Sequence, residues 1–224
     1  MDSDSRTQEP KELDLRHVMV ERLMHYYHFI ASLSNNTAGD SVTSTQIARL
    51  MHIDDSLVRK DLAEIGVRGH SGHGFRCEDV LEAIRRTLGF SKRLRAVIIG
   101  AGRLGGALAS YGSFQQYGVE ICGVFDIAPH KVRLMFGGYQ IQPMTSLPIV
   151  VKQMGVCIAI LTVPPEAAQD AANRALDAGV RGIWNFSNAS LEVPEGVVVR
   201  NEHMSIGLAE LGYRLRRGRM GHDT

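Results

Sequence analysis

The sequence predicts an α/β protein with two domains: a winged-helix domain, then a Rossmann dinucleotide-binding domain that ends in a C-terminal helix. A GxGxxG motif at residues 100–105 separates an apolar run from a helical pattern. Apolar runs and helical patterns then alternate as far as residue 199. Before residue 90, amphipathic helical patterns are followed by a glycine-rich stretch, as in a helix-turn-helix with a wing.

The glycine motif is the strongest functional signal in the chain. Its residues are Gly100, Ala101, Gly102, Arg103, Leu104 and Gly105. Gly100 permits the tight turn from strand to helix, Gly102 lets the backbone approach a pyrophosphate, and Gly105 lets the helix pack closely on the sheet. The phosphates are expected over free N–H groups at the helix N-terminus. A glycine-rich turn that binds nothing is the alternative.

An acidic residue completes the motif. Asp126 ends the next apolar run and follows Gly105 by 21 residues, close to the spacing of about 20 in dinucleotide-binding βαβ units. A carboxylate there can accept hydrogen bonds from both hydroxyls of the adenosine ribose and would repel a 2′-phosphate. The sequence therefore predicts NAD(H), rather than NADP(H), as the cofactor.

The rest of this half predicts an open parallel sheet with helices on both faces. Strands are expected near 94–99, 119–125, 138–142, 156–162, 181–186 and 196–199, and helices near 104–117, 145–154 and 165–178. Ligands bind such sheets at the carboxyl ends of the strands. At those ends the chain places Thr162, Val163, Pro164, Asn185 and Phe186.

A last helix is expected over residues 203–217. It carries an apolar stripe of Met204, Leu208, Leu211 and Leu215. Its two glycines weaken it by about 1 kcal/mol each relative to alanine. The helix therefore needs an external surface, which indicates docking against a partner subunit.

The N-terminal half predicts three helices, near 18–33, 44–51 and 55–65, with a capping box from Thr43 to Gln46 and an aspartate N-cap at Asp54 or Asp55. One face of the third helix combines small residues with a basic pair, as a recognition helix in a major groove requires. Candidate DNA contacts in these helices are Ser44, Ser56, Arg59 and Lys60. An ordinary three-helix module with a solvated face explains the pattern equally well.

Four glycines fall among residues 66–76 and predict a β-hairpin wing, followed by a helix near 78–87. Glycines let a wing enter a narrow minor groove, where arginine and histidine supply positive charge. The candidate contacts are Arg68, His70, Gly72 and His73. The resulting boundaries are 1–90 for the winged-helix domain, with a helix-turn-helix at about 25–66 and a wing at 67–76, and 91–224 for the Rossmann domain. Residues 1–12 are expected to be a disordered tail and 34–40 a loop.

Composition restricts the possible functions and locations of the protein but does not identify them. The net charge is +1, and residues 1–90 hold 11 Lys and Arg against 14 Asp and Glu, which counts against DNA binding because such domains are usually basic. No apolar run approaches the ~18–20 residues of a membrane span, and a signal peptide is missing, so a cytoplasmic location is expected. The three cysteines lack metal-ligand spacing, so no metal site is predicted, and Cys77, in a polar segment, is a candidate reactive thiol.

Several segments together resemble the Rex family of redox-sensing transcriptional repressors. They are VRKD at 58–61, the glycine motif at 100–105, TVPPEAAQ at 162–169, GIWNF at 182–186 and VPEGV at 193–197. The resemblance covers roughly residues 18–215, in order and with consistent spacing. The glycine motif is common to many enzymes, whereas the TVPPEAAQ and GIWNF segments are much more specific.

The resemblance implies a homodimer that binds a palindromic operator in double-stranded DNA and is released by NADH. It implies that the final helix is exchanged between subunits and that Arg59 and Lys60 contact DNA. It places the pyrophosphate at residues 100–105, the ribose at Asp126, and the nicotinamide near residues 162–164 and 185–186. Tyr111 matches a family tyrosine near the nicotinamide and the subunit boundary.

Three positions depart from the family pattern. His28 and His203 stand where an arginine and an aspartate exchange partners during the switch, and Ser71 stands at a usual wing arginine. Two histidines cannot form that ion pair. A repressor with an altered redox switch is therefore an alternative, and its operator affinity would change between about pH 6 and 8. A Rossmann oxidoreductase is the other alternative, although no general acid pairs with a substrate site.

Overall fold

The computed structural model of the chain describes residues 15, 17–34, 41–70 and 72–219. The predicted tail 1–12, loop residues 35–40 and Ser71 lie outside these residues. The chain folds as two compact units, and the boundary between them falls between Ser91 and Lys92. Nowhere in the described ranges is there a helix both long enough and apolar enough to cross a membrane.

The first unit is mainly helical. Its helices are α1 (His17–Ser34), α2 (Ser44–Met51), α3 (Asp55–Glu64) and α4 (Cys77–Thr87), and its strands are β1 (Ser41–Val42) and β2 (Phe75–Arg76). The predicted capping box is confirmed, because the Thr43 hydroxyl accepts a hydrogen bond from the Gln46 amide while the Gln46 side chain accepts from the Thr43 amide. Asp54 caps α3 through a 2.8 Å bond to the Ser56 amide, which makes α2 and α3 two helices joined by a tight turn.

The predicted wing hairpin takes a different form. Within the described part of residues 66–76, hairpin pairing is limited to a single bridge between His70 and Gly74. The strand that follows, β2, pairs antiparallel with β1, more than 30 residues earlier. Gly74, at φ +75, makes this possible, because a Cβ there would lie 2.5 Å from the Val42 carbonyl oxygen. Cys77 is buried rather than exposed as a reactive thiol.

A buried ion pair ties α1 to α3. The guanidinium of Arg22 donates two hydrogen bonds to the Asp61 carboxylate, at 2.7 and 2.8 Å, and the Tyr26 hydroxyl donates a third at 2.8 Å. Asp61 is 2% exposed and Tyr26 is fully buried. Burial, together with the bond to Asp61, raises the pKa of Tyr26, so the phenol stays a donor. The network satisfies a carboxylate that would otherwise be costly to bury.

The second unit is a seven-stranded sheet with helices. Its strands are β3 (Leu94–Ile99), β4 (Val119–Asp126), β5 (Met135–Phe136), β6 (Tyr139–Pro143), β7 (Ile158–Leu161), β8 (Gly182–Asn185) and β9 (Val198–Asn201), and its helices are α5 (Arg103–Ala109), α6 (Leu147–Met154), α7 (Pro165–Asp177) and α8 (Met204–Arg219). The order is β5-β6-β4-β3-β7-β8-β9, and only β5 runs antiparallel to its neighbour. Without β5, the order is the 3-2-1-4-5-6 arrangement of dinucleotide-binding Rossmann folds.

The second unit differs from the prediction in two details. The helix expected over 104–117 divides into α5 and a 3-10 helix, Gly112–Tyr117, because two adjacent glycines and a third at position 112 weaken a continuous helix. The strand β5 was not predicted, since it has only two residues and follows a turn at Arg133.

The two faces of the sheet are covered unequally. Helices α6 and α7 pack on one face through a core that includes Leu147, Val151 and Ala172. On the other face, α5 packs on β3 and β4 through Ala109, beside Ala101 of the glycine turn. Beyond α5, Ile158, Trp184 and Val198 of β7–β9 line an open apolar groove. Phe114 of the 3-10 helix borders this groove, but none of the α-helices in the described residues lines it. Helix α8 exposes the predicted stripe of Met204, Leu208, Leu211 and Leu215, each by more than half.

The ion pair between α1 and α3 gives a direct stability prediction. Asp61→Asn leaves the Arg22 guanidinium without its counter-charge in a largely buried position, and we expect the first unit to lose about 3–5 kcal/mol. The matched control is Asp79→Asn, whose exposed pair with Arg76 spans 4.0 Å and contributes about 0–1 kcal/mol. Urea unfolding, combined with hydrogen exchange at α1 and α3, measures the loss of stability caused by each substitution. Equal effects of the two substitutions would contradict the role given to Asp61.

Candidate dinucleotide site and nucleic-acid interface

The glycine turn is closely packed between β3, α5 and the end of β7. Gly100 has φ +109, and a Cβ there would lie 2.8 Å from the carbonyl oxygen of Thr162. A Cβ on Gly105 would lie 2.2 Å from the Gly100 oxygen. The Thr162 hydroxyl donates a 2.7 Å hydrogen bond to that same oxygen. Gly100 and Gly105 are therefore required by the fold itself.

Gly102 differs from the other two glycines of the motif. Its φ is −96°, which any residue can adopt, and a Cβ there would have no atom within 4 Å. Nothing in the described structure requires glycine at this position. The space beside Gly102 opens into the pocket at the carboxyl end of the sheet, as expected if a ligand approaches the backbone there.

Asp126, at the end of β4, is only 7% exposed. Its Oδ2 accepts hydrogen bonds from the Ala101 amide at 2.8 Å and from Lys131 Nζ at 2.9 Å, and its Oδ1 accepts from the Ala128 amide at 2.8 Å. Burial raises the pKa of Asp126, but the bonds from Lys131, Ala128 and Ala101 outweigh burial and hold the pKa below its ordinary value. The carboxylate is therefore ionised at neutral pH, with Lys131 beside it.

A pocket of about 470 Å³ lies between the glycine turn, Asp126 and α7. It brings together six of the predicted residues: Gly100, Gly102, Asp126, Thr162, Val163 and Pro164. Sequence reasoning missed other lining residues: Ile99, Ile127, Ala128, Lys131, Met144, Ala167, Asp170, Ala171 and Arg174. The α7 members follow i, i+3, i+4, i+7 spacing, so helical periodicity applied to that segment could have identified the face.

Seven predicted cofactor contacts do not line this pocket. They are Ala101, Arg103, Leu104, Gly105, Tyr111, Asn185 and Phe186. Asn185 is 1% exposed and already bonded, because its amide donates to Ala189 and Asn201 and its oxygen accepts from Ser187. It holds the loop after β8 in place.

Tyr111 and Phe186 lie at opposite ends of a chain of aromatic rings. Tyr111 contacts Phe114 at 5.0 Å, Phe114 contacts Trp184 at 5.8 Å, and Trp184 contacts Phe186 at 4.8 Å between ring centroids. Tyr111 is 53% exposed. The rings connect the loop after α5 to the apolar groove of β7–β9.

The candidate DNA contacts are exposed, with one exception. Ser56 and Lys60 lie exposed on α3, and Arg68, His70, Gly72 and His73 are exposed around the wing turn. The exception is Ser44, which is buried and whose hydroxyl accepts a 3.3 Å hydrogen bond from Arg59. Arg59 also pairs with Asp55 one turn earlier. Lys60, in contrast, has no ion-pair partner among the described residues.

The two units define a class of protein, one that joins a helix-turn-helix to a Rossmann unit with a dinucleotide-type glycine turn. Family profiles match each unit separately. Residues 17–63 match the family described as "Putative DNA-binding protein N-terminus", and residues 91–189 match the "CoA binding domain" family.

Relatives match nearly the whole chain. The redox-sensing transcriptional repressor Rex of Treponema denticola is 37% identical over 86% of this chain and 91% of its own length. The protein of the same name from Caldicellulosiruptor saccharolyticus is 34% identical over 92% of this chain and 93% of its own. The chain belongs to the Rex family, as the sequence motifs predicted.

Solved structures agree with this assignment. RSP, a Rex-family repressor, superposes with a TM-score of 0.83 at 30% identity, covering 93% of this chain and 97% of RSP. RSP has also been solved with β-NAD+ and operator DNA, at a TM-score of 0.83 and 29% identity over 95% of this chain and 100% of RSP. The complex of RSP with β-NADH matches equally well, with a TM-score of 0.83 and 29% identity over 93% of this chain and 97% of RSP.

The glycine turn yields a paired prediction. Gly105→Ala places a methyl group against the Gly100 carbonyl, and we expect it to lower the free energy of unfolding of the second unit by about 3 kcal/mol, at the upper end of the usual cost of overpacking. Gly102→Ala should change it by no more than about 0.5 kcal/mol. Thermal unfolding followed by circular dichroism compares the two. A large loss with Gly102→Ala would show that this glycine, too, serves the fold.

Proposed function

We propose that this chain is a DNA-binding transcriptional repressor that senses the NADH/NAD+ ratio and releases its operator when NADH binds. The observation that carries the proposal is the match of 93–95% of the chain to a Rex-family repressor solved both with NADH and with NAD+ and operator DNA. Residues 1–90 form the DNA-binding domain and residues 91–224 the NAD(H)-binding domain. The chain is a regulator and not an enzyme, in keeping with relatives named as repressors.

The pocket in the second unit suits an NAD(H) molecule. The free space beside Gly102 admits a pyrophosphate against the backbone, and residues 162–164 close the pocket on the side of β7. Asp126 retains one free lone pair on Oδ1, since three of about four acceptor positions are already occupied. It can therefore accept a hydrogen bond from one ribose hydroxyl, and the Lys131 ammonium group can donate a hydrogen bond to the oxygen of the other. Bound NADH supplies binding free energy for the switch rather than a hydride.

Regulation follows from coupling between two binding events. NADH and operator each favour a different state of the protein, so each weakens the other by the same factor. Conversion from mostly bound to mostly released requires a differential affinity of several kcal/mol. Lys60 and the exposed wing residues are the proposed DNA contacts, and Arg59 joins them once it exchanges Asp55 and Ser44 for phosphate.

Two variants separate the two halves of this function. In fluorescence anisotropy with a palindromic operator, NADH should lower the operator affinity of the wild type at least about tenfold, and NAD+ should not. Gly102→Ala should keep operator binding but lose the response to NADH, because its methyl group occupies the pyrophosphate position. Lys60→Gln should keep NADH binding but bind operator several-fold more weakly, with a lower salt dependence.

Lys152→Gln, an exposed lysine of α6, is the matched control and should change neither affinity. Operator binding that is indifferent to NADH in the wild type would contradict a redox repressor and favour the altered switch suggested by His28 and His203. His203 lies 3.4 Å from Asn188 Oδ1, and the role of either histidine stays a prediction.

The proposal includes a homodimer with exchanged α8 helices. Two complementary apolar surfaces support it: the open groove of β7–β9 and the exposed stripe of α8. Contiguous exposed apolar surfaces of this kind mark association sites. A second copy supplies both partners at once, because each α8 fills the groove of the other subunit.

Charges on the stripe should break the dimer. Leu208→Glu combined with Leu211→Glu is expected to convert the dimer to a monomer in size-exclusion chromatography with light scattering, since a buried unpaired carboxylate is costly. Lys152→Glu changes the charge of an exposed residue of α6, on the other face of the sheet, and should leave the dimer intact. A dimer that survives the double substitution would place the subunit contact elsewhere.

A further inference from the structure

The adenosine end of the pocket carries more positive charge than a simple ribose site needs. A second groove, of about 720 Å³, adjoins the pocket and shares Asp126, Asp170 and Arg174 with it. Arg133 lines this groove, and Lys131 lies at the boundary through its bond to Asp126. Three cations thus face two carboxylates at a solvent-open rim.

The negative charge of the Asp126 carboxylate is largely neutralised at this rim. Lys131 donates to it at 2.9 Å, and two backbone amides donate as well. Such bonds spread the negative charge of the carboxylate and pair it with an ammonium group. An anion arriving beside the ribose therefore meets a neutral pair instead of an isolated negative charge.

Arg133 is held at the groove by an unusual backbone. Its φ is +72, in the left-handed region that residues with a side chain rarely adopt. Its amide donates a 2.8 Å bond to the Ile141 carbonyl, and its own carbonyl accepts one from the Gln140 side chain at 3.3 Å. The side chain is exposed, and its guanidinium makes no ion pair within the described ranges. Neither the core nor the turn needs an arginine here.

Arg174 stands across the groove on α7. It pairs with Asp170 at 2.8 Å, and both side chains are more than half exposed. An exposed pair of this kind is weak, so Arg174 can turn to a ligand at little cost. Guanidinium groups bind phosphate in a two-point geometry that water and lysine do not reproduce.

We infer that Arg133, Arg174 and Lys131 form a subsite for a phosphate on the adenosine ribose, so that the pocket accepts 2′- or 3′-phosphorylated nucleotides in addition to NAD(H). The inference rests on the proposed function, which places adenosine beside Asp126. It revises the expectation that Asp126 repels a 2′-phosphate, because that expectation treated the carboxylate as unpaired.

Displacement of NADH, followed by its fluorescence, tests the subsite with the full-length protein. The probes are 5′-AMP, adenosine 2′,5′-bisphosphate and adenosine 3′,5′-bisphosphate, with NADPH as a further ligand. At least one bisphosphate should bind about tenfold more tightly than 5′-AMP, equivalent to about 1.4 kcal/mol, and the tighter of the two identifies which hydroxyl carries the phosphate. NADPH should bind within a few-fold of NADH if the 2′ position is preferred.

Arg133→Gly suits the left-handed backbone and removes only the side chain, and Arg174→Gln keeps the length of the side chain without its charge. Each should reduce the preference for the bisphosphate over 5′-AMP several-fold, and the two together should abolish it. Arg181→Gln, an exposed arginine at the amino end of β8, should leave the preference unchanged.

Three outcomes count against the subsite. Bisphosphates that bind no more tightly than 5′-AMP, while NADH binds normally, overturn the subsite alone. A preference that survives in the double variant overturns the assignment of the arginines. Failure of both NADH and 5′-AMP to bind overturns the subsite and the proposed function together.

Discussion

The second unit depends on one close approach, in which the backbone of Gly100 meets Gly105 on one side and Thr162 on the other. Neither glycine has room for a methyl group, and the Thr162 hydroxyl bonds directly to the Gly100 carbonyl. The next amide, that of Ala101, bonds to Asp126. The turn is therefore fixed by the ends of the strands on both sides of β3. Because the surrounding strands hold it, the turn is formed before any ligand arrives, which lowers the cost of binding one.

The sequence predicted those parts of the fold that local chemistry determines. Strand β3 and helix α2 begin and end as expected, because an apolar run defines the first and a capping box defines the second. The pairing of β1 with β2 was missed, since it joins segments far apart in the chain. The single helix expected over 104–117 was wrong, because glycine-rich sequence weakens a helix that periodicity alone would continue.

The candidate site was predictable to a similar extent. The glycine turn, Asp126 and residues 162–164 come together because motif spacing reports on the ends of adjacent parallel strands. Asn185 was expected to meet a ligand, yet its amide and oxygen are bonded within the chain. Arg174 lies on a face of α7 that helical periodicity identifies, but only the packing of α7 beside the glycine turn shows that this face lines the pocket. Lys131 was missed because no sequence motif marks its bond to Asp126. Side-chain roles that depend on such neighbours cannot be deduced from one segment at a time.

The bond between Arg22 and Asp61 has a mechanical consequence for the first unit. Two parallel hydrogen bonds from a planar group resist rotation as well as separation, so α1 and α3 are expected to move together as one rigid body. Lys60 is the residue next to Asp61 and moves with it. A twist applied along the 18 residues of α1 is therefore transmitted directly to α3 through this ion pair. A small displacement at one end of α1 can in this way re-orient Lys60, the proposed DNA contact on α3.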